Sequence, residues 1–315
     1  MESFTKHPMA GSTTGEYFVS EDGSVRVPAL TARREALPKI REDLAAHKWN
    51  RSDFLLSTYP KTGTTFAWEV MTMLLNGSPE YINVIKTALM IDTFPISESS
   101  KHFPSPRVLN THYRSDVLPA EFRKAKTVVV LRNPKDACVS FYHDVKNLAT
   151  LVPVMKVFED ETFEKFQLRF LYDDDAPYGT YFGYTEYMWS LRNEPNVLVV
   201  FYEDLKSDPL TTIQRLNQFM GTNRSRELEQ QIADATSFDK MKRSKLALSF
   251  SKEMSKLEHE DISKGKKSLL GPRVAHVYRK GIVGDWKNHF TVADNERFDD
   301  FLMHWEGGKG IPFKY

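Results

Sequence analysis

Apolar and polar positions along the chain follow two periods. Four short runs read as strands buried on both faces: Phe54-Leu-Leu-Ser-Thr58, Arg107-Val-Leu-Asn-Thr-His112, Lys126-Thr-Val-Val-Val-Leu131 and Asn196-Val-Leu-Val-Val-Phe-Tyr202. Such runs, β-branched or leucine-rich with little polar alternation, are those of parallel strands covered by helices. Helical spacing follows the first run, where Trp68, Val70, Met71, Met73, Leu74 and Leu75 share a face. It recurs from Asp136 to His143, from Tyr181 to Arg192 and after Pro209, and earlier from about Thr31 to Lys48 with a break near Pro38. The expectation is one α/β domain with a central, mainly parallel sheet flanked by helices.

Between these elements the pattern loosens. Residues 1–26 show no period that would bury a face and read as a flexible arm, leaving 27–315 as the single domain. Residues 77–106, with Pro79, Pro95, Pro104 and Pro106 among apolar side chains, read as irregular segments lining a cleft. Residues 242–278 mix lysines and glutamates with few apolar repeats and read as a long lid. The stretch Gly284 to Glu296 reads as an exposed strand with paired charges.

Composition narrows the function. The chain has 315 residues, 41% hydrophobic, with a formal net charge of +1, which argues against a nucleic-acid protein. A single cysteine, Cys138, makes no internal disulfide and reads as a small core residue. With no leader-like start and no apolar run of spanning length, the expectation is a cytoplasmic protein that engages no membrane.

The chemistry gathers at the carboxyl ends of the strands, where open parallel sheets bind ligands. After the first strand come Lys61, Thr62, Gly63, Thr64 and Thr65, then a helix. Unpaired first-turn N–H groups and the dipole favour a phosphate or sulfate there, and Lys61 adds charge. The loop also reads as a plain N-cap, and it lacks the Gly-x-x-x-x-Gly-Lys-Ser/Thr spacing of a nucleoside-triphosphate loop. His112 ends the second strand on the same edge, a candidate general base. The third strand ends in Arg132-Asn-Pro-Lys, where a magnesium-dependent phosphotransferase would place an acid, so a guanidinium clamp without metal is favoured. Ser140 lies one turn into the next helix, and Arg279-Lys280-Gly281 offers two further cations beside a glycine.

Together these residues resemble the cytosolic sulfotransferase family over about Asp53 to Arg297. The resemblance rests on Tyr59-Pro-Lys-Thr-Gly-Thr-Thr65, Thr111-His112, Arg132-Asn-Pro-Lys-Asp136 through Ser140, Phe201-Tyr-Glu-Asp-Leu205, Thr236-Ser-Phe238 with Met241, and Arg279-Lys-Gly281 before Gly284-Asp-Trp286. It implies transfer of the sulfuryl group of 3′-phosphoadenosine 5′-phosphosulfate (PAPS) to the hydroxyl or amine of a small acceptor, without metal. Lys61 to Thr65 would cradle the 5′-phosphosulfate, and Arg132, Ser140, Arg279, Lys280 and Gly281 would hold the 3′-phosphate. Tyr202, Thr236, Phe238 and Met241 would surround the adenosine, with Phe66 where the family usually has tryptophan. His112 would be the base, with Lys61 stabilising the leaving oxygen. Lys287, Thr291, Val292 and Glu296 match the family's dimer motif and imply a homodimer.

Three departures stand out: Asn110 replaces a lysine many members carry two residues before the histidine, Phe66 replaces tryptophan, and the lid is longer. The acceptor pocket is expected to include Met90, Phe94, His112, Phe141 and Asp144 and to suit an aromatic or hydrophobic compound. Asp144 reads either as a partner for a cationic amine or as a solvated carboxylate paired with Lys146. Two rival functions are a non-catalytic nucleotide or sulfated-ligand binder and a metal-dependent nucleotide kinase.

Overall fold

A computed structural model describes residues 4–8, 16–20, 26–28, 37–82, 86–151, 156, 158–173, 178–249 and 278–315. Strands β1 (Phe4–Pro8), β2 (Glu16–Ser20) and β3 (Arg26–Pro28) form a small antiparallel sheet, the first two within the expected arm and the third across its end. The four buried runs form a parallel sheet of β4 (Phe54–Thr58), β5 (Val108–Thr111), β6 (Lys126–Leu131) and β7 (Val197–Phe201). Its order is β5-β4-β6-β7.

The chain leaves β4 for β5 on one side and then crosses to β6 on the other, so the carboxyl end of β4 is the topological switch point. Register brings the strand ends level. Ser57 lies beside Thr111 and Val129, and Leu131 beside Phe201, so His112, Arg132 and Tyr202 emerge on the same edge as the loop after Thr58.

Both faces are buried, as the strand runs require. Along β6, Val128 and Val130 join one core with Trp68, Met71 and Leu74, while Val129 and Leu131 join the other with Tyr59, Tyr184 and Phe298. The helices are α1 (Leu37–Ala46), α2 (Thr64–Asn76), α3 (Ile96–His102), α4 (Pro134–Leu151), α5 (Phe163–Tyr172), α6 (Tyr181–Ser190), α7 (Tyr202–Ser207), α8 (Pro209–Met220), α9 (Arg226–Ala235), α10 (Phe238–Ser249) and α11 (Val292–His304). Trp68 on α2 donates its indole N–H to the Val108 carbonyl at 2.9 Å, tying the helix to the edge strand.

Several local expectations are corrected. Pro38 stands in the first turn of α1, a position where the missing N–H costs nothing, and residues 31–36 of that expected helix lie outside the described residues. Residues 77–106 contain α3 and a 3-10 turn, Lys86–Leu89. The stretch expected as an exposed strand is a 3-10 turn, Asp285–Asn288, followed by α11. The signal overlooked there is a capping box: Asp294 donates its backbone N–H to the Thr291 hydroxyl at 3.1 Å, and its carboxylate accepts the Thr291 N–H at 3.0 Å. Of the expected lid, 242–249 continue α10, and 250–277 lie outside the described residues.

Candidate active site

The loop after β4 is built around an unusual backbone. Lys61 has φ 69° and Gly63 φ 115°. A Cβ on Gly63 would sit 2.7 Å from the Tyr202 ring, so both conformation and contact require glycine. Gly63 is the N-cap of α2 and supplies no side-chain bond, leaving the first-turn N–H groups open. Thr62 is fully turned inward: its hydroxyl donates to the Tyr59 carbonyl at 2.8 Å and shapes the loop. Thr64 bonds Thr58 through their hydroxyls at 2.7 Å.

These elements surround a cleft of about 220 Å³. It is lined by Lys61, Gly63, Thr64, Thr65, Phe66, His112, Arg132, Ser140, Asp144, Tyr202, Met241, Arg279, Lys280 and Gly281, all of them candidates from the sequence, and by Lys86, which was not. Thr62, Thr236 and Phe238 stand behind it. Thr236 donates to the Ile232 carbonyl at 2.7 Å, and the Phe238 ring backs Gly281 so closely that a Cβ there would lie 2.1 Å away.

His112 is oriented for base chemistry. Its Nδ1 lies 2.7 Å from the Thr58 carbonyl oxygen, which only accepts, so Nδ1 carries the proton and Nε2 keeps its lone pair. Asp92, fully buried, accepts the His112 backbone N–H at 2.7 Å and the Thr111 hydroxyl. Burial, then the charges of Lys86 and Lys61, push the imidazole pKa down to about 3 despite the Thr58 bond, so the ring is neutral at physiological pH. Lys61 donates to the Asp144 carboxylate at 2.8 Å. Asp144 therefore does not pair with Lys146, whose ammonium goes to the Glu159 and Glu161 carbonyls.

The third strand end and the 279–281 segment are held by carboxylates. Arg132 donates to the Lys61 carbonyl at 3.1 Å and lies 4.3 Å over the Tyr202 ring, while its Nε is buried without a partner. Asp136 accepts the Gly284 N–H at 2.7 Å and the Trp286 N–H at 3.0 Å, pinning that turn to the start of α4. Asp285, which the sequence reading passed over, accepts from Arg279 at 2.5 Å and Lys280 at 2.8 Å. Burial alone would raise its pKa, but bonds from Lys280, Asn288 and Arg279 hold it well below the usual carboxylate range. A carboxylate between two cations inside a glycine-aspartate-tryptophan turn was the legible signal.

Three pocket candidates do not line the cleft. Met90 is core, Phe94 is 48% exposed, and Phe141 packs edge-on against Tyr59 and Phe166. Residues 87 and 88 lack described side chains, and 83–85 lie outside the described residues. No group of three His, Cys, Asp or Glu side chains suited to a metal occurs among the described residues.

With this geometry in place, the comparisons with known proteins fall into line. The sulfotransferase domain family matches residues 51–309. The chain belongs to the sulfotransferase family. It is 34% identical over 275 residues to sulfotransferase 1C2 of Rattus norvegicus, covering 83% of this chain and 85% of the relative. It is 33% identical over 277 residues to sulfotransferase 1E1 of Bos taurus, covering 84% and 85%. The fold of this sulfotransferase is also that of mouse sulfotransferase SULT7A1 complexed with PAP, with a TM-score of 0.67 and 24% identity over 97% of this chain and 96% of that one. A retinol dehydratase in complex with androsterone and inactive cofactor PAP gives a TM-score of 0.71 at 17% identity, over 99% and 98%.

Proposed function

We propose that this sulfotransferase transfers the sulfuryl group of PAPS to a small, aromatic or hydrophobic acceptor, with His112 as general base. The observation that carries the reading is the charge of the cleft. On the side of the anion loop Lys61, Arg132, Arg279 and Lys280 line it, with Asp144 the one carboxylate among the described lining residues, beneath the uncapped N-terminus of α2. A polyanionic nucleotide fits such a cradle, and the buried, unpartnered Nε of Arg132 fits a phosphate oxygen.

The residues have separate tasks. Lys61 and the N–H groups of Thr64 and Thr65 hold the 5′-phosphosulfate, and Arg132, Ser140, Arg279, Lys280 and Gly281 hold the 3′-phosphate. Tyr202, Met241 and Phe66 bound the adenosine, with Thr236 and Phe238 supporting from behind. The bound nucleotide supplies the sulfuryl group, whose bond to the phosphate oxygen breaks as the acceptor oxygen or nitrogen bonds to sulfur. His112 Nε2 takes the acceptor's proton, and Lys61 stabilises the charge left on the departing oxygen. Lys61 donates to Asp144 at 2.8 Å, so a cationic acceptor reaching that carboxylate would share it with Lys61. Asp144→Ala then abolishes any preference for tyramine over a neutral phenol; an unchanged preference removes the amine reading.

The deciding experiment is calorimetry with 3′-phosphoadenosine 5′-phosphate in EDTA, with turnover of PAPS and 2-naphthol measured in parallel. Wild type is expected to bind without metal, and Arg132→Ala to lose most of that affinity. His112→Ala is expected to keep binding and lose turnover by about a hundredfold or more. Binding without turnover of any acceptor favours a non-catalytic binder, and affinity for Mg·ATP alone favours a kinase.

We further propose a homodimer through Lys287, Thr291, Val292 and Glu296. In support, all four are exposed, and Val292, 76% exposed, presents an apolar side chain at the first turn of α11.

A further inference from the structure

Lys86 brings into the cleft a charge that the reaction above leaves unused. It stands in the turn Lys86–Leu89, and Asn110 fixes that turn. The Asn110 side-chain amide donates to the Lys86 carbonyl at 2.8 Å, and the Asn110 backbone carbonyl accepts the Ile91 N–H at 3.0 Å. Met90 pairs with it as an isolated parallel bridge. A fully buried strand residue two positions before His112 thus holds both ends of a segment that carries an ammonium.

Topology sets the side of the cleft. The 86–91 segment lies along the outer side of β5, and His112 ends β5. Moving inward, β4 carries the anion loop and β6 carries Arg132. His112 therefore stands between Lys86 and the groups assigned to the nucleotide, which places Lys86 with the acceptor. Its charged neighbours are otherwise engaged. Lys61 and Asp144 hold each other, and Asp92 is taken by Thr111 and the His112 backbone. Arg279 and Lys280 share Asp285, whereas the Lys86 ammonium makes no ion pair with any described residue. Burial and Lys61 push its pKa down to about 8 against the pull of Asp92 and Asp144. A half-buried ammonium without a counter-ion is relieved by a ligand that supplies one.

We infer that Lys86 is an acceptor-binding cation, positioned by Asn110, and that the acceptor lays a negatively charged oxygen against it. That oxygen is either the attacking atom, as its proton passes to His112 Nε2 and it bonds to sulfur, or an anionic substituent beside the hydroxyl. The inference rests on the sulfotransferase reading.

The test measures PAPS-dependent kcat/KM in wild type, Lys86→Met, Lys86→Arg and Asn110→Ala. The acceptors are 2-naphthol, 6-hydroxy-2-naphthoate and a series of phenols of graded acidity, and 3′-phosphoadenosine 5′-phosphate calorimetry confirms each folded site. If the substituent is the partner, wild type favours the carboxylate acceptor by about tenfold to a hundredfold. Lys86→Met erases that preference, Lys86→Arg keeps most of it, and Asn110→Ala raises KM with kcat little changed. If the attacking oxygen is the partner, the naphthoate gains nothing, but Lys86→Met changes the dependence of rate on phenol acidity. A Lys86→Met enzyme that binds nucleotide and keeps both the acceptor order and the acidity dependence overturns the inference while leaving the sulfotransferase reading intact. Wild type that turns over no acceptor overturns both.

Discussion

At the residue scale, the site works through conformations and protonation states that few side chains tolerate. Gly63→Ala forces a Cβ into a φ of 115° and to 2.7 Å from the Tyr202 ring. We expect a loss of about 1–3 kcal/mol in chemical denaturation and a weaker nucleotide titration. The pH profile follows from Lys86 and His112. With its pKa lowered to about 8, Lys86 is charged below that pH and neutral above it. The imidazole, at about 3, is already neutral throughout. The charged groups facing Lys86 are Lys61 from the anion loop, Asp144 from α4 and Asp92, whose own carboxyl burial raises to about 7, and the His112 beside them is neutral. With an acceptor that does not itself titrate, kcat/KM should fall through about pH 8 as Lys86 loses its charge. Lys86→Arg should carry the rate on to higher pH; a falling limb unchanged in that variant assigns it to another group.

At the scale of elements, caps and carboxylate anchors decide where functional segments sit. The turn bearing Arg279, Lys280 and Gly281 depends on Asp285, and the next residues depend on Asp136. Asp285→Ala is expected to weaken 3′-phosphoadenosine 5′-phosphate binding by about tenfold or more through two lost charge-assisted bonds, with the far-ultraviolet spectrum retained. Helix α11 closes the second core. Phe298 is fully buried and meets the rings of Phe170, Phe182 and Phe290. Phe298→Ala should cost about 3–5 kcal/mol in denaturant melts, and Thr291→Ala, which removes the capping box, about 1 kcal/mol.

At the scale of the molecule, the parallel sheet and its switch point gather groups from residues 61 to 281 onto one edge. No helix among the described residues is long and apolar enough to cross a membrane. The proposed dimer would leave this edge as it is, because its motif surrounds the start of α11. Val292→Glu should halve the mass seen by light scattering at micromolar concentration without changing nucleotide affinity; wild type that is already monomeric removes the dimer proposal.

The sequence by itself determined the four sheet strands, the anion loop, the histidine and the arginine, because a run buried on both faces and a strand-end motif are written in consecutive residues. It misread 284–296 as strand, since exposed polar residues leave no period and only the Thr291–Asp294 box signalled a helix. Only the tertiary structure decided who pairs with whom across the cleft. Asp144 meets Lys61 from 83 positions away. The turn before β5, held by Asn110, brings Lys86 into the cleft. Met90, Phe94 and Phe141 have the right chemistry for an acceptor pocket but do not line the described cleft. Side-chain type is local information, while direction and partnership depend on distant chain segments packed against each other, and pattern along the chain does not encode that packing.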